Sequence, residues 1–78
     1  MENKTSYEKE LKALGYNIRF FREQAGISQE TLSFRAGLHR NYISSLELAQ
    51  KNPTYTTLLK LSKALNVSLI ELVTIRGE

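Results

Sequence analysis

Tyr7, Leu11, Leu14, Ile18, Phe21 and Ala25 recur at spacings of 4, 3, 4, 3 and 4, which lines them along one face of an α-helix. Ser6 stands where it can cap the start of that helix, and Gly26 ends it by adopting a left-handed conformation at little cost. Gly15 interrupts the stripe at roughly 1 kcal/mol relative to alanine, so the helix proper is read after it and the earlier part as an extension. Ser28-Gln29-Glu30-Thr31 then opens a short helix that buries Leu32 and Ala36, one turn apart, and stops at Gly37. A third helix restarts at once, with His39 at its cap and Ile43 and Leu46 facing inward. Asn52-Pro53 breaks the chain, because proline disfavours helix in the residue before it. Thr54 caps a fourth helix whose inner face is Leu58, Leu61, Ser62 and Leu65; Asn66 ends it, and Ser68 caps a brief fifth carrying Leu69 and Leu72. No stretch alternates with period two for long enough to be a strand. The pattern predicts an all-α, compact five-helix domain with frayed ends at residues 1–5 and 76–78.

Composition narrows what such a domain can do. A chain of 78 residues leaves room for one domain, 1–78, with 41% apolar residues to form its core. The absence of cysteine excludes a disulfide scaffold and a thiolate metal site, and fits a reducing cytosol. No apolar run approaches the roughly 20 residues of a membrane span, and the start lacks a signal-peptide core, so a cytoplasmic protein without a membrane partner is expected. The net charge is +3, spread evenly along the chain, so a positive face has to be assembled by folding. Catalysis fails on inventory: the chain has one His and no Asp to orient it, and its four scattered glycines form no phosphate loop. One His without Cys or clustered acids cannot build a metal site either. No catalytic residue, metal, cofactor or small-molecule effector is expected.

The informative stretch is 28–47. Two helices joined by a turn of three to four residues containing glycine outline a helix-turn-helix, here helices two and three. Leu32 and Ala36 seat the first helix, Gly37 permits the bend, Leu38 plugs the corner, and Ile43 and Leu46 hold the underside of the second. Arg40, Asn41, Tyr42, Ser44 and Ser45 are left pointing outward.

Over residues 15–73 the chain resembles the Cro/phage-repressor (XRE-type) helix-turn-helix family, with a λ-repressor-like domain. The resemblance rests on Ile18-Arg19, Arg22, Gly26-Ile27-Ser28-Gln29-Glu30, Leu32, Ala36-Gly37, Tyr42-Ile43-Ser44, Glu47, Asn52-Pro53, Leu58 through Leu65 and Val67-Ser68-Leu69. The run from Ala36 to Ser44 is similar to controller proteins of restriction–modification systems. Ser33 departs from the family's usual alanine at the helix–helix contact, Ala49 from the glycine that often ends the third helix, and Leu48 from a usual polar residue.

That resemblance implies a sequence-specific DNA-binding transcriptional regulator, repressor or activator, acting on double-stranded DNA. Arg40, Asn41, Ser44 and Ser45 would read bases, since arginine matches guanine O6/N7 and asparagine adenine N6/N7. Ser28, Gln29, His39, Tyr42, Lys51 and Asn52 would hold the backbone, the first two at a helix start that favours phosphate. Taken alone, Arg40 is a solvated charge and Asn41 a helix-start residue. His39 serves equally as a cap, and Tyr42 either reaches a phosphate or packs on the domain edge. Arg22 and Glu47 resemble the family's internal ion pair, a structural role.

One recognition helix reads about four to six base pairs, too few against ~10⁶ competing sites, so a homodimer on a two-fold operator is expected. Tyr55, Ile70, Val73 and Ile75 are the apolar surplus that would form its interface, or else ordinary edge packing. The alternative function is an antitoxin-like protein-interaction module, with Leu48 and the C-terminal apolar residues as its surface.

Overall fold

The computed structural model describes residues 7–76, and among these the chain forms helices α1 (Glu8–Gln24), α2 (Gln29–Ala36), α3 (Arg40–Glu47), α4 (Tyr55–Leu65) and α5 (Leu69–Val73), with no strand. The proposed Ser6 cap and the frayed 1–5 segment lie outside the described residues; Tyr7 occupies the cap position of α1 without a side-chain cap bond. The other four helices start on side-chain caps: Ser28 accepts from the Thr31 N–H, His39 from Asn41, Thr54 from Thr57 and Ser68 from Glu71. Each cap satisfies a donor that the helix itself cannot.

Four helices end on a residue with positive φ: Gly26 after α1, Gly37 after α2, Ala49 after α3 and Asn66 after α4. The amide of the following residue then reaches back to close the end, as Leu38 N–H does on Ser33 O at 2.8 Å. Ile27, Leu38 and Val67, in this closing position, pack against the core. Helix α5 differs, since Thr74 is extended and supplies no such closure.

The core consists of Leu14, Ile18, Leu32, Ala36, Ile43, Leu46, Leu61, Leu65 and Leu72. Helix α3 packs on α1 and α2, while α5 packs on α1 and α4. The sequence stripe overreaches at both ends, where Tyr7 and Ala25 are exposed. Gly15 is no defect: it is buried within a continuous α1, and a Cβ there would lie 2.6 Å from Leu46 O and 2.7 Å from Glu47 O. Its missing side chain is what lets the end of α3 approach α1 so closely.

The expected fraying of 76–78 is corrected at Arg76, while 77 and 78 lie outside the described residues. Asn17, fully buried on α1, donates through Nδ2 to Leu72 O (2.8 Å) and Thr74 O (2.7 Å), and its Oδ1 accepts from Arg76 Nε (3.2 Å). The Arg76 guanidinium lies 5.5 and 5.1 Å from the ring centres of Phe20 and Phe21. Residues 74–76 are therefore strapped onto α1, and Asn17 supplies the closure that α5 lacks. Ser33, whose hydroxyl needed a partner, donates to Glu30 O at 2.7 Å without leaving its helix.

Candidate nucleic-acid interface

The exposed tip of α3 is held by what lies beneath it. Ile43 and Leu46 are sealed in the core, which fixes the rotation of the helix and turns Arg40 and Asn41 to the surface. The imidazole Nδ1 of His39 accepts from the Asn41 N–H at 3.1 Å, so His39 acts as a cap. Ser44 and Ser45 are half-buried along the flanks. Tyr42 is half-buried and packed against the core, the edge-packing alternative for its ring.

Arg40, Asn41 and Ser44 share an open cavity of about 520 Å³ with Ser28, Gln29 and Glu30 from the start of α2. The three-residue turn of Gly37, Leu38 and His39 thus brings two sets of predicted contacts to one groove. Arg40 Nη1 lies 3.6 Å from Glu30 Oε1, with the two side chains 63% and 74% exposed. A pair so exposed is worth about 0–1 kcal/mol and can be exchanged for another anion.

The floor of the groove is neutralised. Arg22 donates from Nε to Glu47 Oε2 (2.6 Å) and from Nη2 to Oε1 (3.1 Å), while its Nη1 donates to Ile27 O (3.0 Å). The Glu47 hydrogen bond is the main reason the guanidinium holds its proton even more firmly than usual. Gln29 Nε2 also donates to Glu47 Oε1 at 2.9 Å. The Gln29 amide therefore points inward, and what α2 offers to an anion is its backbone N–H groups.

The other predicted contacts stand apart. Ser45, His39, Lys51 and Asn52 do not line this groove, and Asn52 instead lines an apolar one with Pro53, Leu58 and Val73. Of the expected apolar surplus, Tyr55, Ile70 and Val73 are exposed, whereas Ile75 is half-buried. Leu48 is 63% exposed, and Phe34, which sequence reasoning passed over, is 87% exposed on α2. Glu30 was missed as the carboxylate facing Arg40, a long-range pairing with no local signal. Asn17 did leave a trace, as a polar residue three after Leu14 and four before Phe21 on the core face. Among the described residues no group of His, Cys, Asp or Glu is arranged to hold a metal ion, and no helix is long and apolar enough to cross a membrane.

Comparison with known proteins adds a consistent set of likenesses. The helix-turn-helix family model matches residues 18–72. The chain is 45% identical over 64 residues to the control protein C.SmaI of Serratia marcescens, covering 82% of this chain and 76% of that one. The restriction–modification controller protein C.AhdI of Aeromonas hydrophila superposes with a TM-score of 0.78 at 40% identity, over 80% of this chain and 94% of that one. The controller protein C.Esp1396I, solved as a tetramer with its natural 35 base-pair operator, superposes with a TM-score of 0.71 at 32% identity, over 82% and 95% of the two chains.

Proposed function

The chain belongs to the helix-turn-helix family, and from that premise we propose that it is a sequence-specific transcriptional regulator of the restriction–modification controller type, binding a two-fold operator as a dimer in the cytoplasm. The observation that carries this reading is the single groove shared by the α3 tip and the start of α2. An α-helix fits the major groove of a duplex, and Arg40 and Asn41 stand at the end of α3 that leads into it. Backbone N–H groups at the start of α2 take a phosphate and set the register, while Lys51 holds the backbone beyond α3.

Exposed Tyr55, Ile70 and Val73 supply the surface on which two copies pair. Such a dimer would set its recognition helices about 34 Å apart, in successive major grooves. Selection from random duplexes followed by footprinting tests this. A regulator of this kind enriches an inverted repeat with half-site centres one helical turn apart; an asymmetric single site, or no enrichment, refutes it.

Exposed Leu48 and Phe34 favour a second reading, a protein-interaction module on the same scaffold. Salt separates the two, because counterion release makes DNA affinity fall steeply with ionic strength and an apolar protein interface barely responds.

A further inference from the structure

Beyond Ser44 the groove runs into a recess of about 260 Å³ between α1 and the end of α3, lined by Arg19, Arg22, Gln29, Ser44, Glu47 and Leu48. Arg22, Gln29 and Ser44 line both spaces, so they form one continuous channel. Its charged and amide groups are unequally available. Arg22 and Glu47 are 13% and 5% exposed and locked to each other, and Gln29 is bonded to Glu47. Arg19 is 64% exposed, held only by a monodentate bond from Nε to Glu23 Oε2 at 3.1 Å, within the same helix. Leu48, at the far wall, offers no charge of its own.

We infer that Arg19 is a further phosphate-binding residue, gripping the DNA backbone along the α1 side of the recognition helix. The inference rests on the DNA-binding reading and adds a residue to which the helix-turn-helix segment 28–47 assigns no part. A strand passing the start of α2 and Arg40 and continuing down the channel meets the Arg19 guanidinium as the exposed cation of its α1 side. Arginine suits the task, since its fork matches phosphate oxygens and its bond to Glu23 engages only Nε, leaving the terminal amino groups to donate to an anion. Glu23 then acts as a placeholder that is displaced when DNA arrives.

The test uses the full chain with Arg19→Gln, Arg19→Lys and Glu23→Gln variants, an operator duplex found by selection, and a random duplex of equal length. Affinities are measured across a salt series, and thermal melting verifies that each variant folds. Arg19→Gln should weaken both duplexes by the same factor and reduce the slope of log K against log salt by about 0.9 per protomer. Arg19→Lys should restore the slope. Glu23→Gln should tighten both duplexes, and more so with Arg19 present than in the Arg19→Gln background. An unchanged slope for Arg19→Gln beside a steep wild-type slope overturns the assignment while leaving the DNA reading standing. Loss confined to the operator would make Arg19 a base reader and also overturns it. A wild-type protein without salt dependence defeats the DNA reading itself.

Discussion

Replacing Asn17 with alanine removes the closure of α5 in one step. Two N–H···O bonds to Leu72 O and Thr74 O are lost, together with the acceptor for Arg76. Each bond contributes about 0.5–1.5 kcal/mol net, and a buried carbonyl left without a donor costs a further ~1–3 kcal/mol. Partial relaxation of the strap reduces that total, so a loss of about 2–4 kcal/mol is expected. A domain of this size has roughly 4–12 kcal/mol to lose. Urea denaturation followed by far-ultraviolet circular dichroism measures it, and at about 4–8 °C per kcal/mol the melting midpoint should fall by roughly 8–32 °C. Asn17→Leu separates hydrogen bonding from filled volume, because leucine is similar in size but donates nothing. If the bonds govern, leucine is about as damaging as alanine. Recovery by leucine to within about 0.5 kcal/mol of the wild type would refute the reasoning and make Asn17 a packing residue.

Three further outcomes are expected. Ala49→Gly should stabilise the protein by about 0.5–1 kcal/mol in thermal melting, because Ala49 holds φ 60°, where a Cβ is penalised; an unchanged or lower midpoint contradicts this. Gly15→Ala should destabilise by about 1–3 kcal/mol in urea titration despite its better helix propensity, since the added Cβ meets two backbone carbonyl oxygens of α3. Equal stability of that variant would show that α3 is not seated as described. Glu71 is held below the ordinary value of 4.5 chiefly because its carboxylate accepts the Ser68 N–H at 2.8 Å, with the Ser68 hydroxyl as a second cause. The unfolded chain binds that proton more tightly, so the contribution is present above about pH 4.5 and is lost as the pH falls through the folded value. Glu71→Gln should therefore flatten part of the acid limb of the stability profile, and an unaltered limb counts against the capping box.

What was legible beforehand depended on local physics. The α1 stripe, the caps Ser28, His39, Thr54 and Ser68, and the stops Gly26, Gly37 and Asn66 all act within one or two helical turns, so the residues declare them. The exposure of Asn41 follows from helical periodicity, which sets it across α3 from the buried Ile43 and Leu46, and Arg40 is exposed as the first residue of that helix. The illegible features act across the fold. Asn17 meets partners 55–59 residues away, so nothing local in the sequence marks it as an anchor or ties Arg76 down. Gly15 resembled a helix fault until α3 was seen against it. Gln29 at a helix start suits a phosphate contact, and only the placement of Glu47 shows its side chain to be engaged elsewhere. The half-burial of Ile75 is likewise a matter of tertiary packing.

The central claim is that the outward tip of α3 reads bases through Arg40, and atomic substitution in the DNA tests it most directly. Each guanine of a selected half-site is replaced in turn by 7-deazaguanine, which lacks the N7 acceptor, and affinity is measured for the wild type and for Arg40→Ala. At one guanine per half-site the wild type should lose about 5–150-fold, the equivalent of 1–3 kcal/mol, while Arg40→Ala, already weakened, loses nothing more there. Equal losses for both proteins at every position would contradict the account, because Arg40 would then touch no base that the protein distinguishes.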